Sequence, residues 1–279
     1  MPRIEFRKRS RVDPASAYLR KRSRNVHSQA GEDGVIAAIL EIMPPTNRWC
    51  VEFGAWDGIE TSNTAALLRR SDSPWSGVLI EGSSDRFAKL TENYRGNERV
   101  KCISGYVRSK GPESLDAILP DTGAPSDLDL LSIDIDGNDY HVWNHLRNYR
   151  PRLLVIEFNP AIPNDVVYVQ DDEPNTFQGS SLAAMIELGK QKGYELVATT
   201  YFNAFFVPAE AYPAFHIPSN DIDAMYDGQE YQTKFFQLYD GTLQIAGCQN
   251  LIWHNRTIDP EEIQVLPKSE RRFPDKFRT

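Results

Sequence analysis

The sequence predicts an α/β fold with one mostly parallel sheet and helices on both faces. Two observations carry this prediction. Short apolar runs alternate with amphipathic segments through the central region, and glycine or acidic residues follow several of these runs. The chain has 279 residues, 41% of them hydrophobic, which is enough to bury one substantial core. We therefore expect one α/β domain with appendages.

Seven predicted strands form the framework of this domain. We expect the first five to be parallel and joined by helices, and the last two to form an antiparallel hairpin around residues 201–203. The predicted strands are residues 49–53, 77–80, 100–104, 128–133, 153–158, 195–199 and 204–207. The predicted helices are residues 27–42, 61–70, 85–94, 113–119, 139–146 and 181–191.

Both ends of the chain differ in composition from its centre. Residues 1–25 are rich in Lys and Arg, although the whole chain has a formal net charge of -8. Such an arm is either solvated without a ligand or docks on phosphate, anionic lipid or an acidic patch. The acidic overall charge disfavours nucleic acid as a partner, except through this arm. Residues 208–279 are less periodic, and we expect them to pack as an extension on the main domain, residues 26–207.

The sequence gives no indication of export or of a disulfide framework. No apolar stretch follows the basic arm, so we expect neither a secretory signal nor a membrane span, and we expect a cytoplasmic protein. The cysteines Cys50, Cys102 and Cys248 are odd in number, widely separated and without C-x-x-C spacing. This pattern argues against disulfides and against a thiolate zinc site.

Acidic residues and glycines stand at the ends of the first two predicted strands. Ligands of open α/β sheets bind at the carboxyl ends of strands. Gly54 and Gly58 let the backbone after Glu52 turn tightly and approach a ligand. Glu81 is placed to accept hydrogen bonds from the two hydroxyls of a ribose. Together the two motifs favour a cofactor site over two ordinary βα turns with capping acids.

Three more carboxylates stand at the ends of the fourth and fifth predicted strands. Asp134 and Asp136 are two residues apart and face the same side of an extended strand. Close carboxylates share a proton or hold a cation, and a hard divalent ion such as Mg²⁺ is the natural candidate. Glu157 adds an acid at the same rim. Helix capping by Asn138 or Asp139 is an equally good explanation of this acidic segment.

Two histidines lie four residues apart on one face of the helix predicted over residues 139–146. The metalloprotease motif requires Glu directly after the first histidine, where this chain has Val142, so that activity is excluded. We expect His145 to be packed or on the surface. His141 lies one turn into the helix and is a candidate general base near neutral pH.

The sequence resembles the FkbM-type methyltransferases, a branch of the class I S-adenosylmethionine-dependent family. The resemblance rests on VEFGAWDG (51–58), VLIEG (78–82), LLSIDIDGNDYHVW (130–143) and LLVIEFNP (153–160), and it continues to NAFFV (203–207). It implies a Rossmann-like class I fold with a seven-stranded sheet. It also implies methyl transfer to an oxygen of a sugar or a small natural product.

The resemblance further implies roles for individual residues. The predicted cofactor-binding residues are Glu52, Gly54 and Gly58 at the methionine end, Glu81 at the ribose, Gly105 and Tyr106 near adenine, and Asp134 beside the sulfonium, with Ala55 and Gly82 as further contacts. A carboxylate (Asp134, Asp136 or Glu157) or His141 would remove the acceptor proton. A Mg²⁺-like ion on the same three carboxylates would assist.

Three other interpretations remain open. The pocket of a non-catalytic scaffold would bind a cofactor or nucleotide without transfer. The basic arm would be the functional part of a protein recruited to nucleic acid or to an anionic surface. An acid-metal hydrolase would use the three carboxylates without S-adenosylmethionine. The long polar segment at residues 163–178 is either a lid or acceptor loop, or a solvated surface loop.

Overall fold

The computed structural model describes residues 4–7 and 10–277, and its centre is a sheet of seven strands. Their order is β3-β2-β1-β4-β5-β7-β6. The first five strands pair with one another in parallel, and β7 pairs antiparallel with β5 and β6. The predicted α/β class with a mostly parallel seven-stranded sheet is confirmed. The strands are β1 (Trp49–Phe53), β2 (Ser76–Glu81), β3 (Val100–Ser104), β4 (Leu130–Ile133), β5 (Leu153–Glu157), β6 (Tyr194–Thr199) and β7 (Asn203–Pro208).

The helices are α1 (Glu32–Ile42), α2 (Ala65–Leu68), α3 (Ser84–Asn93), α4 (Leu115–Ile118), α5 (Asp139–His145), α6 (Leu182–Gln191) and α7 (Ile222–Met225). Five of them, α2 to α6, connect these strands, while α1 precedes β1 and α7 follows β7. The indole of Trp143 on α5 packs against the rings of Tyr194 and Phe206, with centroid distances of 5.8 and 5.1 Å. These buried aromatic contacts join α5 to the antiparallel part of the sheet.

The first helix is shorter than the sequence predicts. Helix α1 begins at Glu32 instead of residue 27. The carboxylate of Asp33 accepts hydrogen bonds from the backbone nitrogens of Val26, His27 and Ser28, at 2.7, 2.7 and 2.8 Å. A side chain that binds backbone groups in this way offers them an alternative to helix. Residues 26–28 are therefore held as a loop before α1.

The chain divides into two compact units. One runs from Val12 to Tyr226 and contains the seven-stranded sheet with α1 to α7. The other consists of the described residues up to Arg11 and from Asp227 onward. Within this second unit, β8 (Thr233–Gln237) pairs antiparallel with β9 (Leu243–Gly247), and β10 (Asn250–Leu251) pairs antiparallel with β11 (Arg256–Thr257).

This division differs from the boundaries predicted after residues 25 and 207. Residues 12–25 lie in the larger unit, where Leu19 is buried and the Tyr18 hydroxyl donates a 3.0 Å hydrogen bond to the backbone oxygen of Phe215. The predicted packing of the whole C-terminal extension stays a prediction. Within the predicted basic arm, Arg3, Lys8 and Arg9 lie outside the described residues.

Two further features concern the cysteines and the helices. All three cysteines are free, and Cys50 is buried in β1. Among residues 4–7 and 10–277, no helix has both the length and the apolar character needed to cross a membrane.

Candidate functional site

A cavity of about 700 Å³ lies at the carboxyl ends of β1, β2 and β4. Phe53 at the end of β1 is in register with Ile80 of β2 and Ile133 of β4, so the residues that follow these strands start at one level. This is the edge where open α/β sheets bind ligands, and the volume suits a nucleoside-sized ligand. The predicted residues that line the cavity are Glu52, Gly54, Glu81, Gly82, Gly105, Tyr106, Asp134 and Asp136.

Four other predicted site residues lie outside this lining: Ala55, Gly58, His141 and Glu157. Ala55 is buried, and a Cβ atom added to Gly58 would lie 2.5 Å from the side chain of Leu90 on α3. The structure thus gives Gly58 a packing role against α3. The cofactor roles of Ala55 and Gly58 stay predictions.

The carboxylate of Glu52 is buried and occupied by protein donors. One oxygen accepts from the hydroxyls of Ser62 and Thr64, both at 2.6 Å, and the other accepts from the backbone nitrogen of Asn63 at 2.7 Å. Burial raises the pKa of Glu52, and these hydrogen bonds act in the opposite direction. They fix residues 62–64 as a turn, which confines the helix predicted over residues 61–70 to α2.

Gly54 allows the loops after β1 and β4 to touch. Its φ is +70°, and an added Cβ atom would overlap the carbonyl oxygen of Asp134. Only glycine tolerates both conditions without strain. The close contact brings the Asp134 backbone directly beside the loop that follows Glu52.

Glu81 is a buried carboxylate held in place at the end of β2. Its two oxygens accept hydrogen bonds from the backbone nitrogens of Trp56, at 2.8 Å, and Ser83, at 2.7 Å. A carboxylate oxygen has capacity for more than one hydrogen bond, so Glu81 can still accept from ligand hydroxyls.

Aromatic and cationic side chains surround this position. The guanidinium of Arg86 lies 4.0 Å from the centre of the Trp56 ring, and both residues line the cavity. The ring of Tyr106 lies so close to Gly82 that a Cβ atom there would overlap it. The two aromatic rings provide flat, partly exposed walls near Glu81.

Asp134, Asp136 and Glu157 converge beside the cavity. Each offers one carboxylate oxygen, and these three atoms lie within 4.8 Å of one another. Burial raises the pKa of Asp134 well above its usual range, and the charges of Asp139 and Asp136 raise it further. Burial and the charge of Asp134 likewise raise the pKa of Glu157. Such a group either retains a proton or holds a hard cation through its oxygens.

Asp139 organises the loop that carries these aspartates. Its buried carboxylate accepts hydrogen bonds from the backbone nitrogens of Ile135 and Gly137, both at 2.9 Å. Burial raises the pKa of Asp139 to about 6, although these two bonds lower it. Asp136, between the two donors, has a φ of 59°. The sequence suggested helix capping here, but the Asn138 side chain makes no cap hydrogen bond to α5.

The side chain of Asn138 instead contacts the segment after β5, through Gln170. The buried Gln170 amide nitrogen donates to the Asn138 side-chain oxygen at 2.7 Å and to the Thr176 carbonyl at 2.9 Å. Residues 174–177 then line the cavity. Sequence reasoning missed Gln170, because it lies in a polar segment with no periodicity or motif.

His141 lies beside the same segment. Its Nε2 is 2.7 Å from the backbone oxygen of Gln170, so this nitrogen donates and only Nδ1 carries a lone pair in the neutral ring. His145 Nδ1 donates to the backbone oxygen of His141 at 2.9 Å. The role of His141 as a general base stays a prediction.

Comparison with known proteins finds a similarity to one family over part of the chain. Residues 109–196 match the family model described as the Methyltransferase FkbM domain. No curated protein matches the chain.

Three solved structures show the extent of the similarity. The N-terminal domain of EvdMO1 with S-adenosylhomocysteine (SAH) bound has 14% identity and a TM-score of 0.41, over 63% of this chain and 79% of that one. The citrinin polyketide synthase CMeT domain has 14% identity and a TM-score of 0.42, over 63% of this chain and 51% of that one. An S-adenosylmethionine-dependent methyltransferase from Clostridium acetobutylicum ATCC 824 has 9% identity and a TM-score of 0.39, over 63% and 90%.

The family match spans β4, α5 and β5, and therefore includes Asp134, Asp136, Glu157 and the segment that carries Gln170. The resemblance to FkbM-type methyltransferases is confirmed. The similarity to the Methyltransferase FkbM domain covers residues 109–196, which is less than half of the chain.

Proposed function

We propose that this protein transfers the methyl group of S-adenosylmethionine to a hydroxyl oxygen of a sugar or small natural product. The observation that carries the proposal is the placement of two kinds of carboxylate around one cavity. Glu81 is fixed at the end of β2, whereas Asp134 and Asp136 follow β4, two strands away. The end of the cavity at Glu81 suits a ribose, and the end at Asp134 and Asp136 suits a cation or an ionising hydroxyl.

The residues around the cavity fit S-adenosylmethionine. Glu81 accepts from the ribose hydroxyls, while Tyr106 and Gly82 flank the adenine and Gly54 borders the methionine end. Bound S-adenosylmethionine supplies an electrophilic methyl group on a positively charged sulfur. The acidic wall formed by Glu52 and Asp134 favours that charge.

Asp136 is the best-placed group to take the acceptor proton. It is exposed and lines the cavity, so a hydroxyl of a bound acceptor can reach its carboxylate. A divalent ion such as Mg²⁺ would be held by Asp134, Asp136 and Glu157, where it lowers the pKa of the acceptor hydroxyl. Alignment of this hydroxyl with the methyl group contributes much of the rate.

Calorimetric titration with S-adenosylmethionine and SAH tests the cofactor part of the proposal. We expect saturable binding to the wild type and a loss of about tenfold or more in affinity for Glu81→Ala and Glu81→Gln. The exposed Glu98→Ala is the matched control and should bind normally. Unchanged binding by both Glu81 variants would remove Glu81 from the site.

The absence of any binding to the wild type would refute the proposal. It would favour a non-catalytic scaffold or an acid-metal hydrolase that uses the same carboxylates.

A further inference from the structure

Phe177 is an exposed aromatic residue on a fixed turn at the rim of the cavity. Its side chain is 70% exposed, and it lines the cavity. The backbone on both sides of it is bound by one buried side chain. Gln170 donates to the Thr176 carbonyl at 2.9 Å and accepts from the Gln178 nitrogen at 3.0 Å. The turn therefore presents an apolar ring to solvent from an ordered backbone.

The turn also lies directly against the loop of the carboxylates. A Cβ atom added to Gly137, the residue after Asp136, would lie 2.5 Å from the Thr176 carbonyl oxygen and 3.4 Å from the Cα of Phe177. The side-chain amide of Asn138 donates to the carbonyl of Glu173 at 3.2 Å. The backbone of Phe177 is thus held against the residue that follows Asp136, the group that we propose to take the acceptor proton.

Exposed apolar side chains continue from this turn along the adjacent chain. Val166, Val167, Tyr168 and Val169 are each between 36% and 55% exposed. The Tyr168 hydroxyl donates to the side-chain oxygen of Gln178, and the Ser181 nitrogen donates to the Tyr168 carbonyl at 2.9 Å. These residues therefore lie on the same segment as Phe177, and Tyr168 is bound to the residue that follows it. An exposed apolar residue alone needs no explanation, but Phe177 also lines the cavity.

We propose that Phe177 contacts the methyl acceptor and selects one that carries an apolar group beside the reacting hydroxyl. This inference rests on the proposed function. The ring of Phe177 packs against the apolar group, and the hydroxyl then reaches Asp136. Aromatic contacts of this kind add to the free energy of apolar burial, and polar acceptors without the apolar group lose them.

A matched pair of probes tests the inference. p-Nitrophenyl β-D-glucopyranoside and methyl β-D-glucopyranoside share their sugar hydroxyls and differ in the apolar group. We expect the SAH complex of the wild type to bind the nitrophenyl glycoside about tenfold more tightly in calorimetric titration. Phe177→Ala should abolish this preference, Phe177→Trp should restore it, and the SAH affinity of both should stay within about twofold.

Phe235→Ala removes another exposed aromatic ring and should retain the wild-type preference. Equal affinity for both probes in the wild type, no binding of either probe, or an unchanged preference in Phe177→Ala would overturn the inference. A loss of SAH affinity in Phe177→Ala would overturn it too, because Phe177 would then be a cofactor contact. Failure of the wild type to bind SAH would instead refute the proposed function.

Discussion

The side-chain amide of Gln170 donates a 2.7 Å hydrogen bond to the side-chain oxygen of Asn138. This bond joins the segment after β5 to the loop after β4. The two residues lie far apart in the sequence. The loop after β4 carries the carboxylates, and the segment after β5 carries Phe177. The two regions on which the proposed chemistry depends are therefore linked through one pair of side chains.

Gln170→Ala should destabilise the protein by about 2–3 kcal/mol. The substitution leaves two partly buried backbone nitrogens, those of residues 178 and 179, without their acceptor, and an unpaired buried donor costs about 1–3 kcal/mol. Urea unfolding measures the change. Gln191→Ala, on the exposed end of α6, should shift the free energy of unfolding by less than about 0.5 kcal/mol. Equal effects of the two substitutions would show that Gln170 does not hold the segment.

Gly54→Ala should destabilise the fold by more than about 3 kcal/mol, because its Cβ overlaps a backbone carbonyl that has no room to move. Gly96→Ala is the matched control. Gly96 has a φ of +81° but nothing within 4 Å of an added Cβ, so it should show only the conformational cost of about 1 kcal/mol. Thermal unfolding of both variants separates the cost of the positive φ from the cost of the steric overlap. Similar losses would contradict the close approach of the loops after β1 and β4.

Divalent metal should stabilise the protein through its three clustered carboxylates. Addition of Mg²⁺ should raise the Tm of the wild type, because a ligand that binds the folded state stabilises it. Glu157→Gln should lose most of this rise, whereas Asp121→Asn, an exposed change elsewhere, should keep it. A Tm that does not respond to Mg²⁺ in the wild type would exclude the metal site.

Asp136→Asn should abolish turnover while the affinity for S-adenosylmethionine stays close to that of the wild type. The reason is that the amide cannot accept a proton from the acceptor hydroxyl. Transfer of a labelled methyl group to an acceptor of the wild-type enzyme measures the effect. Near-normal turnover would show that Asp136 is not the proton acceptor.

Lys192 should make the stability of the protein increase as the pH rises from about 8 to about 10.5. Burial and the charge of Arg147 lower the pKa of Lys192 to about 8, from its ordinary 10.5. Between these values the unfolded chain binds more protons than the folded protein, so the free energy of unfolding rises with pH. The gain should be absent in Lys192→Met and retained in the exposed Lys190→Met. If the free energy of unfolding changed with pH in the same way in the wild type and in Lys192→Met, the lowered pKa of Lys192 would be contradicted.

The strands could be predicted from the sequence because buried parallel strands are short apolar runs. Strands β1 and β3 have the predicted bounds, and the predicted antiparallel hairpin is β6 with β7. The starts of α1 and α2 were harder to predict. Polar side chains such as Asp33 and Glu52 bind backbone groups that a helix would otherwise use. Nothing in a local pattern shows which backbone nitrogen such a carboxylate will bind.

The candidate site, too, could be predicted only in part from the sequence. Glu81, Gly54 and Asp134 were predictable, since residues at the ends of parallel strands meet at one edge of the sheet. Phe177, which lines the cavity, and Gln170, which holds its segment, were not predictable, because both lie in a long segment without periodic structure. Their positions depend on hydrogen bonds to residues about 30 positions away, such as Asn138.

The position of Trp56 has an optical consequence. This indole is 39% exposed in the cavity wall, whereas Trp75 and Trp143 are buried at 2% and 1%. A ligand that fills the cavity excludes water from Trp56 and leaves unchanged the other four indoles, which do not line the cavity. The emission of Trp56 should therefore shift to shorter wavelength as the cavity fills. The protein thus carries its own fluorescent reporter of occupancy, and rapid mixing can follow ligand entry without a label.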